Sequence, residues 1–240
     1  MLLPTDYNQV FWTFGKHNPA MLTLRINDFL AQYGRAYMPL YLAGKEVTLA
    51  KASLEKDFAA WGNEDGMAVG LKSSNGIVLR ITTHYKEYKN ISVSNTLRIG
   101  FDLKHLRGPQ PMLTLDRLKE IFVFCARLFV PFWGYSSKSG EINVSSEHQR
   151  MWQIIDLDKV PVAIEWFNYF SPEWVERFGG QEKLLAAPVF QAEPVAELGG
   201  VVLILQPEPF DYTNPEHLDN RRRVEQYLNL AHLHQMFPRR

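Results

Sequence analysis

Residues 162–180 read VAIEWFNYF followed by SPEWVERFGG. Val162, Ile164 and Trp166 alternate with Ala163 and Glu165, which is the two-residue period of a strand. Ser171-Pro172-Glu173 then opens a helix, with an N-cap hydroxyl, a proline at the first position and an acid at the positive end of the dipole. Gly179-Gly180 stops it. A strand thus runs directly into a helix. Downstream, Val201–Leu205 is a continuous apolar run, which predicts a central strand covered on both faces. Asn214-Pro215-Glu216 repeats the cap, proline and acid, and the helix it starts sets Val224, Tyr227, Leu228 and Ala231 on one face.

Working back toward the N-terminus, Thr114 caps a helix with Asp116 in its first turn. Leu115, Leu118, Phe122, Cys125 and Phe129 line one side of it, and Ile121, Phe124 and Leu128 another, so it reads as apolar nearly all round and buried. Pro131 ends it. Leu97, Ile99, Phe101 and Leu103 alternate with polar neighbours, and 77–83 is similar, so the two strands are expected to pair antiparallel. Val47, Ala50, Leu54, Phe58 and Trp61 fall at helical spacing, and Asn63–Gly66 breaks that helix. Hairpin-like spacing at 77–103 and 189–205, interleaved with helices, predicts an α+β fold with mostly antiparallel sheet and no Rossmann or barrel signature. The chain, 240 residues with 46% hydrophobic content, can bury its own core. It is read as one domain over 1–240, or as two packed halves, 1–110 and 111–240, joined at Gly108–Pro111.

Chemistry is sparse. There is no glycine-rich phosphate loop, no nucleophile elbow and no His-Glu-x-x-His. Cys125, the single cysteine, sits among Phe and Leu and reads as a small buried hydrophobe. His232 and His234 point apart on a helix and do not make a metal pair. Asp156 and Asp158 read as a turn before Pro161. No catalytic residue, cofactor or metal is expected, although a triad or carboxylate pair assembled in space stays open. The N-terminus lacks the cationic start and apolar run of a signal peptide, and Ile121–Tyr135 is too short and too charged for a membrane span, so a cytoplasmic protein is expected. Asn90–Ser92 and Asn143–Ser145 match the glycosylation triplet by chance.

Charge carries more information. Lys+Arg and Asp+Glu are 26 each, so the chain has no overall basic coat for nucleic acid. Residues 1–120, however, hold 15 bases against 11 acids, and residues 141–219 hold 14 acids against four bases. If those acids share a face, their field attracts cationic partners and repels nucleic acid. The alternative is a solvated surface neutralised by the N-terminal half in three dimensions. Arg221-Arg222-Arg223 fan around a helix and are read as pairing with the acidic segment before them. Trp166, Phe167, Tyr169, Phe170 and Trp174 cluster, and any that point outward would anchor an interface.

The stretch 162–180, the later Leu198–Pro207 run (LGGVVLILQP) and the final helix resemble the immunity protein 52 family of bacterial polymorphic toxin systems, which is associated with type VI secretion. The resemblance is best over residues 160–230, and the helix at 47–61 with the Trp61-x5-Met67 step is compatible with the family's N-terminal half. It implies a cytoplasmic protein that binds and neutralises one cognate toxin, often a nuclease, and it carries over no active-site residues. A nuclease cleft is basic, so an acidic occluding surface follows. Glu173, Glu176, Glu182, Glu193, Glu197 and Asp211 are the candidate contacts. Neither nucleic acid nor membrane is expected as a partner, and a homodimer is compatible. Two rivals stay open: an enzyme with a dispersed, hydrolase-like site, and an adaptor of a secretion machine.

Overall fold

The computed structural model describes residues 5–63, 66–84, 95–107, 111–138, 156 and 158–238. The glycosylation triplets, the Gly108–Gln110 part of the expected connection, and Glu141 and Glu147 of the acidic window lie outside them. The chain divides into two compact units. The first holds residues 1–112 and 128–131, and the second holds 113–127 and 132–240. Both are α+β with antiparallel strand pairing throughout.

In unit 1 the strands are β1 (Tyr7–Thr13), β2 (Tyr41–Leu42), β3 (Lys45–Glu46), β4 (Gly66–Lys72), β5 (Val78–His84) and β6 (Asn95–Phe101). Their order is β3-β2-β4-β5-β6-β1. The expected pairing of the 77–83 and 97–103 strands is present, with Leu79 opposite Ile99 and Ile81 opposite Leu97. Alternation puts Val69, Leu71, Leu79, Ile81, Leu97 and Ile99 into the core. Helices α1 (Pro19–Leu30) and α2 (Lys51–Ala59) pack on each other and bury Leu22, Ile26, Leu54 and Phe58. The helical spacing that continued from Val47 to Trp61 overstates α2. Val47 and Ala50 precede it, and Trp61 lies beyond its end and is exposed.

α3 (Leu115–Phe129), all but its last two residues in unit 2, starts at Thr114, whose hydroxyl accepts from the Arg117 N–H at 3.3 Å. It is buried on one side only: Leu118, Ile121, Phe122, Cys125, Ala126 and Phe129 face in, while Phe124 and Leu128 are half-buried and Arg127 is exposed. Burial pushes the Cys125 thiol pKa well up. The native protein is therefore expected to give no Ellman reaction, and unfolded protein one thiol per chain; fast labelling of the native state would contradict this burial.

The unit 2 sheet runs β7-β8-β10-β9, from β7 (Trp133–Lys138), β8 (Phe167–Phe170), β9 (Gln191–Val195) and β10 (Gly200–Ile204). β10 is the central strand expected at 201–205 and is buried throughout. Gly200 is required there: a Cβ would lie 2.5 Å from the Phe170 carbonyl oxygen. The strand expected from Val162 starts only at Phe167. All of Val162–Phe170 is buried, so the alternation of polarity did not mark two faces. The Ile164 and Glu165 N–H groups are taken by side chains, Glu225 at 3.0 Å and Asn168 at 3.0 Å, instead of by a ladder.

Two short helices, α4 (Pro172–Arg177) and α5 (Gln181–Leu185), follow β8. Gly179 and Gly180, both at positive φ, end α4 as expected. Asn214 caps α6 (Pro215–Tyr227) through the Glu216 N–H at 3.0 Å. The expected single last helix is two, because Asn229 turns left-handed (φ 56°) and α7 (Leu230–Met236) starts after it; Tyr227 and Ala231 are accordingly exposed.

Candidate functional site

The acids of unit 2 sort by the sheet face they occupy. Phe167 of β8 meets Phe122 of α3 at 5.4 Å, whereas Phe170 meets Phe178 at the end of α4 at 4.8 Å. Three residues apart on one strand, these rings point to opposite faces. Residues directly paired across strands share a face, so Glu193, opposite Val202, which is opposite Tyr169, lies on the α3 side. There Lys119 of α3 donates to it at 2.9 Å, and Arg127 reaches Glu197 at 3.1 Å. Glu173, Glu176 and Glu182 lie on α4 and α5, which cover the other face.

Counter-charges come from within the same unit. Glu173 pairs with Arg177 one turn on, and that guanidinium also donates to the Lys159 carbonyl at 2.8 Å. Asp211 accepts from the backbone N–H and hydroxyl of Thr213 at 2.9 and 2.7 Å, and these bonds hold its carboxyl below the usual range. Glu176 and Glu182 are exposed and make no ion pair among the described residues.

The aromatic cluster of 166–174 points nowhere outward. Trp166, Phe167, Tyr169, Phe170 and Trp174 are all fully buried and build the core of unit 2. These rings therefore offer no outward anchor; Phe190 (54% exposed) and Leu185 (36%) are the exposed large apolar side chains nearest in sequence to the acids. Leu185 sits one turn after Glu182 on α5, and Phe190 directly precedes β9. Their sequence, LLAAPVF, has no periodicity that separates exposed from buried, so only the fold reveals them.

The arginine triplet splits as helical geometry requires. Arg222 and Arg223 are exposed, pairing with Asp219 and with the Asn220 side chain, while Arg221 is buried. Arg221 donates to Glu225 at 2.9 Å, lies 4.0 Å from Glu165 and packs over the Tyr212 ring; the Tyr212 hydroxyl donates to Glu165. Asp156 and Asp158 form the expected turn, with the Asp158 N–H on the Asp156 carboxylate. His234 contacts the Pro161 carbonyl oxygen at 2.8 Å. Among the described residues no His, Cys, Asp or Glu group is arranged to hold a metal ion, and no helix is long and apolar enough to cross a membrane. Unit 1 has an open cleft of about 810 Å³, lined by Tyr41, Trp61, Lys72 and Arg80 among others but by no His, Cys, Asp or Glu.

No curated protein matches the chain. Among solved structures, the Pseudomonas aeruginosa T6SS protein PA0821 matches with a TM-score of 0.58 at 14% identity, over 93% of this chain and 72% of that one, which is a likeness of fold. The family model of immunity protein 52 matches residues 111–237, which is most of unit 2 and more than half of the sequence. On that match the chain belongs to the immunity protein 52 family.

Proposed function

We propose that this chain protects the cell cytoplasm by binding and neutralising one cognate secreted toxin, that the toxin is a nuclease, and that the α4–α5 surface of unit 2 meets it. The chain acts by occupying its partner and turns nothing over. The observation that carries this reading is the company kept by two carboxylates without an ion pair among the described residues, Glu176 and Glu182, with exposed Leu185 and Phe190 on and beside α5. An apolar anchor beside acids is the composition expected opposite a basic cleft. Glu173, already paired with Arg177, contributes at the rim, and Glu193, Glu197 and Asp211 contribute less because each is neutralised or hydrogen-bonded in place.

The test is co-purification with the toxin encoded beside the gene, followed by binding kinetics. The triple variant Glu173→Lys, Glu176→Lys, Glu182→Lys is expected to associate about 10- to 100-fold more slowly at low salt and to lose most of the salt dependence. Phe190→Ala is expected to speed dissociation by at least about tenfold. A triple variant that associates at the wild-type rate with the wild-type salt slope overturns the electrostatic mechanism. Failure of the wild-type chain to bind the toxin overturns the whole reading.

A further inference from the structure

The outer face of the unit 1 sheet, turned away from the core strand residues, carries a row of cations. Gly70 of β4 pairs with Arg80 of β5, which pairs with Arg98 of β6, so Arg80 and Arg98 stand directly opposite on one face. Lys72, two residues along from Gly70, is on the same face. Arg80 and Arg98 are exposed and Lys72 half-exposed, and none of the three makes an ion pair among the described residues. Like charges directly opposite in a sheet repel, so this arrangement costs the free protein stability. Lys72 and Arg80 line the open cleft together with Tyr41 and Trp61, the latter 47% exposed. The cleft's volume of about 810 Å³ is ligand-sized.

We propose that this face is a second docking site, which takes an acidic, extended segment of a protein partner. Carboxylates of that segment sit on Lys72, Arg80 and Arg98, and an apolar side chain between them enters the cleft against Trp61 and Tyr41. The proposal rests on the reading that the chain works by binding protein. The three cations occupy adjacent strands roughly 4.8 Å apart, with Lys72 set about 7 Å along its strand, so they span about 12 Å. That is more than a single carboxylate covers and close to the reach of alternate side chains on an extended chain. A nucleic acid would meet the same cations, but three of them neutralise only about three phosphates, which holds a long polyanion weakly at physiological salt.

The test is a titration of the 15N-labelled full chain with three probes: a short capped peptide of alternating glutamates around a central phenylalanine, its lysine counterpart, and a single-stranded oligothymidylate. The glutamate peptide is expected to shift the amides of Lys72, Arg80 and Arg98 and the Trp61 indole. Its affinity should fall at least about tenfold in the Arg80→Glu, Arg98→Glu variant and several-fold in Trp61→Ala. Arg98→Gln should weaken the peptide while raising the Tm by about 1–3 °C, because it relieves the repulsion. Absence of shifts at these residues, equal shifts with the lysine peptide, or tighter binding of the oligonucleotide overturns the proposal. The peptide titration involves no toxin, so failure here and failure of the toxin complex are separate results.

Discussion

Replacing Arg221 by methionine is expected to destabilise the protein by about 3–5 kcal/mol, on the order of 10 °C in Tm. The side chain is 5% exposed, and Glu165 beside it 7%. Its guanidinium holds Glu225 at 2.9 Å, and Glu225 in turn accepts from the Ile164 N–H at 3.0 Å. Methionine fills much of the space but leaves two carboxyl groups facing one another without a cation. Glu165→Gln is the informative contrast. Burial raises the Glu165 carboxyl above its ordinary 4.5, while Arg221 and the Tyr212 hydroxyl pull it down. A carboxyl with a raised folded-state pKa binds its proton more tightly folded than unfolded. It adds stability that is fully present below the ordinary glutamate range and lost as pH rises through the folded value. Glu165→Gln removes that loss, so the variant should gain on wild type as pH rises above about 4.5. Urea unfolding of all three proteins across that range measures both effects. A glutamine variant that loses ground as pH rises would show that Arg221 outweighs desolvation.

Trp174→Ala should cost a similar amount, about 3–5 kcal/mol. Trp174 is the residue that fixes α4, a helix of six residues too short to persist alone. Its ring stacks on Trp133 at 5.7 Å and on Phe170 at 6.0 Å and meets Phe132 at 6.1 Å. Truncation opens a cavity among three aromatic side chains and frees the segment that carries Glu173 and Glu176. Trp174→Phe keeps a ring in place and should cost well under half as much. Denaturant midpoints for the two variants, with near-UV circular dichroism to report the ring packing, check the ordering; equal losses would place the cost outside the cavity.

Local rules were legible where one force acted alone. Asn214 and Thr114 cap their helices, Gly179 and Gly180 end α4, and 201–205 is central because an unbroken apolar run has no wet face. Some failures occur where a long-range partner took over, others where a local stop carried no signal. Val162–Trp166 alternates in polarity, yet Glu165 is buried because Arg221, 56 positions later, reaches it. Trp61 keeps helical spacing with Phe58, but the helix has ended. Composition gave the acids of the candidate site but not their neutralisation, since Lys119 meets Glu193 only once α3 lies on the sheet. Phe190 carried no signal in the sequence.

β9 is the terminal strand of the unit 2 order, and its fourth residue is Pro194. A proline there withholds one of the main-chain donors that an incoming strand would need. If the proposed toxin contact extends to this rim, its grip is written in side chains, which change one codon at a time while the scaffold stands still. A lineage pursued by ever-new adversaries could retune whom it recognises without refolding.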